Sequence, residues 1–210
     1  MLLSVTHLLK EMKGRTALRH ARVTLELPAW VGPFLAREGP RHDSIEERMR
    51  LVIGLAQANI EHATGGPFGA AVFEMASGRV VGVGVNLVET ANCSIAHAEL
   101  LAIALAQQAV GHYDLGAGPG AYELVTSTEP CAMCLGAIPW SGVRRLVCGA
   151  RGADACEIGF DEGAKPADWA GELHKRGIGV VRDVLREEAR VILRQYAETG
   201  GRIYNARQGP

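Results

Sequence analysis

A three-layer α/β/α sandwich around a central mixed β-sheet is the fold class that this 210-residue sequence predicts. Three observations lead to it. From residue 44 onward, segments of helical spacing alternate with short strand-like runs. One pair of those runs is joined by a two-residue turn, so the sheet includes a hairpin, and the remaining strands are separated by helices. That combination argues for a mixed sheet covered on both faces. Hydrophobic residues make up 48% of the chain and 26 residues are glycine, which excludes a disordered chain and favours close packing of helices on a sheet.

The elements follow in order. Residues 1–43 read as an irregular N-terminal segment in which Pro28, Pro33 and Pro40 interrupt any periodicity. Ser44 followed by Glu47 is a capping box, and Ile45, Met49, Val52, Ile53, Ala56 and Ile60 then recur on one helical face. Gly65-Gly66-Pro67 ends that helix. Phe68 to Met75 and Val80 to Val85 read as two strands around a Ser77-Gly78 turn. Ala96 to Val110, apolar on most sides, reads as a buried helix. A loop over Gly111 to Gly120 precedes a strand at Tyr122 to Ser127, a short helix at Cys131 to Trp140 and a strand at Val143 to Cys148. Cys156 to Lys165 reads as a loop. Trp169 to Arg176 is a helix, Ile178 to Val181 a short strand and Val184 to Glu198 an amphipathic helix, followed by a polar tail that contains Tyr204. The length allows one domain with a sizeable core.

The formal net charge is −1 and the sequence pI about 6.7. A nucleic-acid binder draws most of its affinity from phosphate contacts and carries a basic surplus, which is absent here. A small, weakly charged substrate fits better. No run approaches the roughly 18 apolar residues of a membrane-spanning helix. The apolar start, Met1 to Leu9, is broken by His7 and closed by Lys10 and Glu11, with no cleavage site after it. A cytoplasmic protein is expected, without membrane or nucleic-acid partners. Its five cysteines are expected to be reduced and available to a metal.

Two motifs carry the chemistry. His97 and Glu99 stand at the start of one predicted helix, and Cys131 and Cys134 follow Pro130 at the start of another. Catalytic zinc takes three protein ligands plus a water, and imidazole and thiolate suit it. Positions i and i+3 share a helical face, so both cysteines can grip one ion with His97. Two helix N-termini converging there would favour the thiolates. Glu99 is not needed as a ligand, and a carboxylate beside the metal can move protons between water and a leaving amine. His-x-Glu followed by Pro-Cys-x-x-Cys is the signature of zinc-dependent base deaminases, and the match is complete. Two other readings fit the same residues less well. A redox pair of Cys131 and Cys134 would leave His97 and Glu99 unused. A structural zinc completed by Cys93, Cys148 or Cys156 would lack the second tight ligand pair usual in closed sites.

On these motifs the chain resembles the cytidine deaminase superfamily. Within it, the chain is most similar to short bacterial guanine deaminases of the cytidine-deaminase type. The resemblance runs from about Val23 to Arg207. Beyond the metal motifs it is carried by Gly65-Gly66-Pro67-Phe68-Gly69, Asn86, Trp140-Ser141-Gly142-Val143, Gly159-Phe160-Asp161-Glu162-Gly163 and Ile203-Tyr204-Asn205. It implies a cytidine deaminase-like fold, with residues 44–199 as the zinc-dependent deaminase domain and 200–210 as a tail acting as an active-site lid. It implies one zinc per chain on His97, Cys131 and Cys134, with Glu99 and Glu162 as the catalytic carboxylates. Phe68, Asn86, Ala98, Trp140, Phe160 and Tyr204 are implied at the substrate. Phe68 would stack on a purine, and the Asn86 amide would pair with adjacent ring N–H and carbonyl groups. Glu162 would accept from an N1–H and an exocyclic amine. Some relatives carry aspartate at that position. Tyr204 matches a tail tyrosine that reaches a partner's pocket in some relatives, so a homodimer, with the tail swapped between subunits, is part of the same implication.

The implied reaction is hydrolytic deamination of guanine to xanthine and ammonia by a metal-activated hydroxide, with Glu99 as proton shuttle. Its rivals are the same chemistry on ammeline or another amino-triazine, on guanosine or on cytosine; an RNA adenosine deaminase; and a non-catalytic zinc or purine-binding module. The near-neutral charge counts against RNA, and an intact Glu99 counts against a binder.

Overall fold

The computed structural model describes residues 23–205, so residues 1–22 and the tail beyond Asn205 lie outside the described residues. A short helix α1 (Val31–Glu38) precedes the long α2 (Ile45–Glu61). The Ser44 hydroxyl accepts the Glu47 amide and the Glu47 carboxylate accepts the Ser44 amide, each at 3.1 Å, so the capping box forms as the sequence implies. The hairpin β1 (Gly69–Glu74) and β2 (Val80–Val85) follows, then α3 (Ala98–Val110), β3 (Tyr122–Thr128), α4 (Ala132–Ser141) and β4 (Arg145–Ala150). The chain continues through α5 (Gly152–Glu157), α6 (Trp169–His174), β5 (Gly179–Val181) and α7 (Arg186–Glu198).

The five strands form one sheet in the order β2-β1-β3-β4-β5. β1 runs antiparallel to β2 and β3, and β3, β4 and β5 run parallel. Period-2 alternation splits β1 between two cores: Ala71 and Phe73 face one, Ala70 and Val72 the other. The first core is closed by α1, α2 and α7, through residues such as Phe34, Leu55 and Leu193. The second is closed by α3, α4 and α6, through Ala102, Ile138 and Trp169. The expected three-layer sandwich with a mixed sheet is therefore the architecture. Among the described residues no helix is long and apolar enough to cross a membrane.

Three local expectations are corrected. The segment up to residue 43 is not irregular throughout, because α1 forms and buries Val31 and Phe34. Pro33 is its third residue, within the first turn, where the missing N–H deprives the helix of nothing. Gly152 to Glu157 forms a helical turn where no element was expected. β4 begins two residues later than expected, because Gly142 leaves α4 at φ 81° and Val143 is spent on the turn.

Two glycines of β2 set the position of the first motif. A Cβ on Gly84 would lie 2.0 Å from the Ala98 carbonyl oxygen, and one on Gly82 would lie 2.5 Å from the Ala106 amide nitrogen. Only a strand without side chains there lets α3 rest directly on the sheet. That contact fixes where α3 begins, and with it His97 and Glu99.

Candidate active site

His97 is the N-cap residue of α3 and Cys131 the N-cap residue of α4, both in extended backbone conformation. β3 delivers the second of these: it ends at Thr128, and Glu129-Pro130 leads straight to Cys131. The His97 Nδ1 atom lies 3.6 Å from the Cys131 sulfur and 3.5 Å from the Cys134 sulfur. All three donor atoms lie within 4.8 Å of one another. Zinc–nitrogen and zinc–sulfur bonds of ~2.0–2.1 and ~2.3 Å at a tetrahedral angle separate N from S by about 3.5 Å. The donor set and its spacing fit zinc. Among these side chains, hydrogen bonding from Cys134 and His97 holds the Cys131 thiol down at about 4, and the same bond to the Cys131 sulfur pushes Cys134 up. Burial works against a charged His97, but Cys131 and Glu99 outweigh it and raise its pKa.

Glu99 sits in the first turn of α3, 8% exposed, and borders the same cavity as His97. Burial raises its pKa above the usual carboxylate range, against the opposing effect of His97. The cavity measures about 340 Å³, within the range of small-molecule sites. Phe68, Phe160 and Tyr204 line it. Phe160 meets Phe68 and Tyr204 edge to face, with ring centroids 5.0 and 5.2 Å away. Such a wall accepts a flat ring. The Tyr204 hydroxyl is buried and has no hydrogen-bond partner among the described residues. The tail is pinned by Asn205, whose side chain donates to the Gly159 carbonyl at 2.7 Å and accepts the Asp161 amide at 2.9 Å.

Glu162 lines the cavity as well. Its carbonyl accepts the Ala132 amide at 2.8 Å, which ties its loop to the start of α4. Burial pushes its carboxyl up to about 7, opposed chiefly by Lys165.

Nine of the eleven sequence-derived residues thus cluster at or beside one cavity, though not all in the manner expected. Asn86 is buried at the end of β2: its side-chain oxygen accepts the Val88 amide at 3.2 Å, and its backbone amide donates to the Phe68 carbonyl at 3.1 Å. Two residues are placed elsewhere. The Ala98 side chain enters the opposite core beside Ala70 and Val72. Trp140 is 80% exposed on the outside of α4, away from the cavity of its own chain. The helix explains this, because Trp140 is six residues beyond Cys134, a rotation of roughly 240° away from the metal-facing side.

Sequence reasoning missed three residues here. Glu129 borders the cavity, buried, and accepts the Gly152 amide at 3.0 Å and Arg182 at 2.6 Å. Its place directly before Pro130-Cys131 was the available signal. Asn59 is fully buried on α2 and donates to the carbonyls of Gly66 and Asn86, each at 2.9 Å. Lys165 contacts Glu162. Neither of the last two carries a motif.

Over residues 42–150 the chain matches the family model for the cytidine and deoxycytidylate deaminase zinc-binding region, just over half of its length. It is 47% identical to the solved guanine deaminase from Nitrosomonas europaea, with a TM-score of 0.79 over 85% of this chain and 99% of that one. A solved chain in complex with 2,6-diaminopurine is 49% identical, with a TM-score of 0.81 over 89% of this chain and 98% of that one. Guanine deaminase of Bacillus subtilis is 38% identical over 117 residues, 56% of this chain and 71% of its own. The matched span contains both metal motifs and the strand-to-helix turns that aim them, so the chain belongs to the cytidine and deoxycytidylate deaminase zinc-binding family.

Proposed function

We propose that this protein hydrolyses guanine to xanthine and ammonia, with one zinc held by His97, Cys131 and Cys134. When bound, zinc supplies a Lewis acid that makes water acidic enough to react near neutral pH. Glu99 takes the proton of the water that adds to C2 of guanine, then hands protons to the ring nitrogen and the departing amine. Glu162 accepts from N1–H and the exocyclic amine and assists the second transfer. Phe68 and Phe160 hold the ring flat. The Asn86 side-chain amide pairs with adjacent ring N–H and carbonyl groups of the base, and Ala98 acts through the backbone at the start of α3. Guanine and water become xanthine and ammonia with no change in redox state.

The single observation that carries the reading is the joint placement of the His97-Cys131-Cys134 cluster, Glu99 and Glu162 around one aromatic-walled cavity. The choice of guanine is supported by the similarity to the guanine deaminase from Nitrosomonas europaea over 99% of its length and to that of Bacillus subtilis over 71%. The catalytic domain spans 44–199, with α1 packed onto it. The tail from residue 200 closes the cavity of its own chain, a reading supported by the Tyr204–Phe160 contact. The active form is a cytoplasmic homodimer, supported by the exposed Trp140 and Met133 on α4, and sedimentation of the purified protein checks it. Ammonia release measured on guanine, guanosine, cytosine, adenine and ammeline tests the substrate. Guanine should lead, and a protein that ignored guanine but consumed cytosine would refute the assignment.

A further inference from the structure

Glu162 is the second carboxylate of the cavity, yet it sits on a loop, and loops hold a functional group less firmly than strands or helices. The Glu162 carbonyl is bonded to Ala132, but that bond fixes backbone and leaves the side-chain torsions free. Lys165 supplies the remaining constraint. Its ammonium donates to Glu162 Oε2 at 3.2 Å and to the Pro130 carbonyl at 3.0 Å. The two side chains are only 14% and 11% exposed. Exposed pairs three residues apart contribute little, because water screens them and long side chains lose entropy. This pair is largely shielded, and its cation is also anchored on the Pro130 carbonyl, two residues past β3 and one before Cys131. Lys165 does not border the cavity. It grips the carboxylate from behind, and by taking Oε2 it leaves Oε1 for a ligand.

We propose that Lys165 is the positioning residue for Glu162, locking its carboxylate toward the cavity and in register with the metal-binding turn. This rests on the reading of Glu162 as a catalytic carboxylate. A lysine here serves better than a neutral donor, since its charge-assisted bond is stronger and the same group bridges two acceptors.

The test uses zinc-loaded wild type, K165M, K165R, E162Q and the double variant E162Q/K165M, each measured for kcat, KM, zinc content and thermal unfolding. K165M should keep its zinc and fold while kcat falls roughly 10- to 100-fold, the effect of losing a hydrogen bond to a charged group. K165R should restore most of that loss. In the E162Q background, K165M should change kcat by less than about twofold, because a residue acting through Glu162 has nothing left to position. The proposal is overturned if K165M turns over within about twofold of wild type, if its loss is equal in both backgrounds, or if K165R is as impaired as K165M. Should K165M fail to fold, K165Q takes its place in the same cycle, since it can keep the bond to Pro130. If wild type ignores guanine, the substrate assignment fails by itself. The same variants on the base that wild type does deaminate still decide the role of Lys165.

Discussion

Gly84→Ala is a single-methyl change outside the cavity that should disable it. The added Cβ would stand 2.0 Å from the Ala98 carbonyl oxygen and 2.8 Å from the Ala102 amide nitrogen, both of them backbone atoms of α3. An ordinary contact begins near 3.4 Å, so strand and helix must separate by about 1.4 Å where they touch. No side-chain rotation relieves the clash. Overpacking of this kind costs about 1–3 kcal/mol, which for a chain of this size lowers Tm by roughly 2–12 °C. The helix that moves carries Glu99, with His97 at its N-cap, while Cys131 and Cys134 stay with β3 and α4. A misplacement of about 1 Å at a catalytic group costs on the order of 100-fold in rate. The assay combines thermal unfolding, zinc content after dialysis and turnover. Expected are a lowered Tm, weakened zinc retention and a fall in kcat larger than the stability change accounts for. A variant with wild-type Tm and turnover would refute the claim that the Gly82-Gly84 surface sets the metal site.

Four side-chain and tail changes probe the remaining parts. Glu99→Gln keeps shape but cannot shuttle protons, so zinc should stay and turnover on guanine should fall at least ~100-fold, read by steady-state kinetics. Glu162→Ala removes a charged acceptor and should lower guanine turnover by roughly 30- to 150-fold with zinc in place, read by kinetics with metal analysis. Tyr204→Phe removes a buried hydroxyl that has no hydrogen-bond partner among the described residues. Stability should hold or rise, while kcat/KM falls about 2- to 10-fold if that hydroxyl serves the substrate. Deleting residues 200–210 should cut activity while the circular dichroism spectrum of the domain is kept, and a fully active truncation would remove the lid from the mechanism.

Spacing made the metal centre legible. Cys131 and Cys134 fall on one side of a helix, and the residues around His97 and Glu99 announce a helix start, so the triad assembles from the sequence pattern alone. The layers are legible because β1 and β2 read as short apolar runs about a two-residue turn and α2 keeps one apolar face. What failed was local. α1 has Gly32 and Pro33 in its first turn and no side-chain cap, so it forms only because Val31 and Phe34 find the core. Trp140 is implied by likeness alone, and its angle on the helix points it away from the cavity of its own chain. Asn59 and Lys165 carry no pattern at all. Each is an ordinary polar residue whose partners, Gly66 and Asn86 for one and Pro130 and Glu162 for the other, meet it only after the sheet has folded.

Metal removal and restoration on one sample tests the zinc-dependent reading most directly. The purified protein is stripped with a chelator, assayed for xanthine and ammonia from guanine, then titrated with zinc and assayed again. Activity should vanish on stripping and return in proportion to zinc, levelling at one ion per chain, with xanthine and ammonia formed in equal amounts. Guanine turnover that survived complete removal of metal, or a zinc-loaded protein that left guanine untouched, would contradict it.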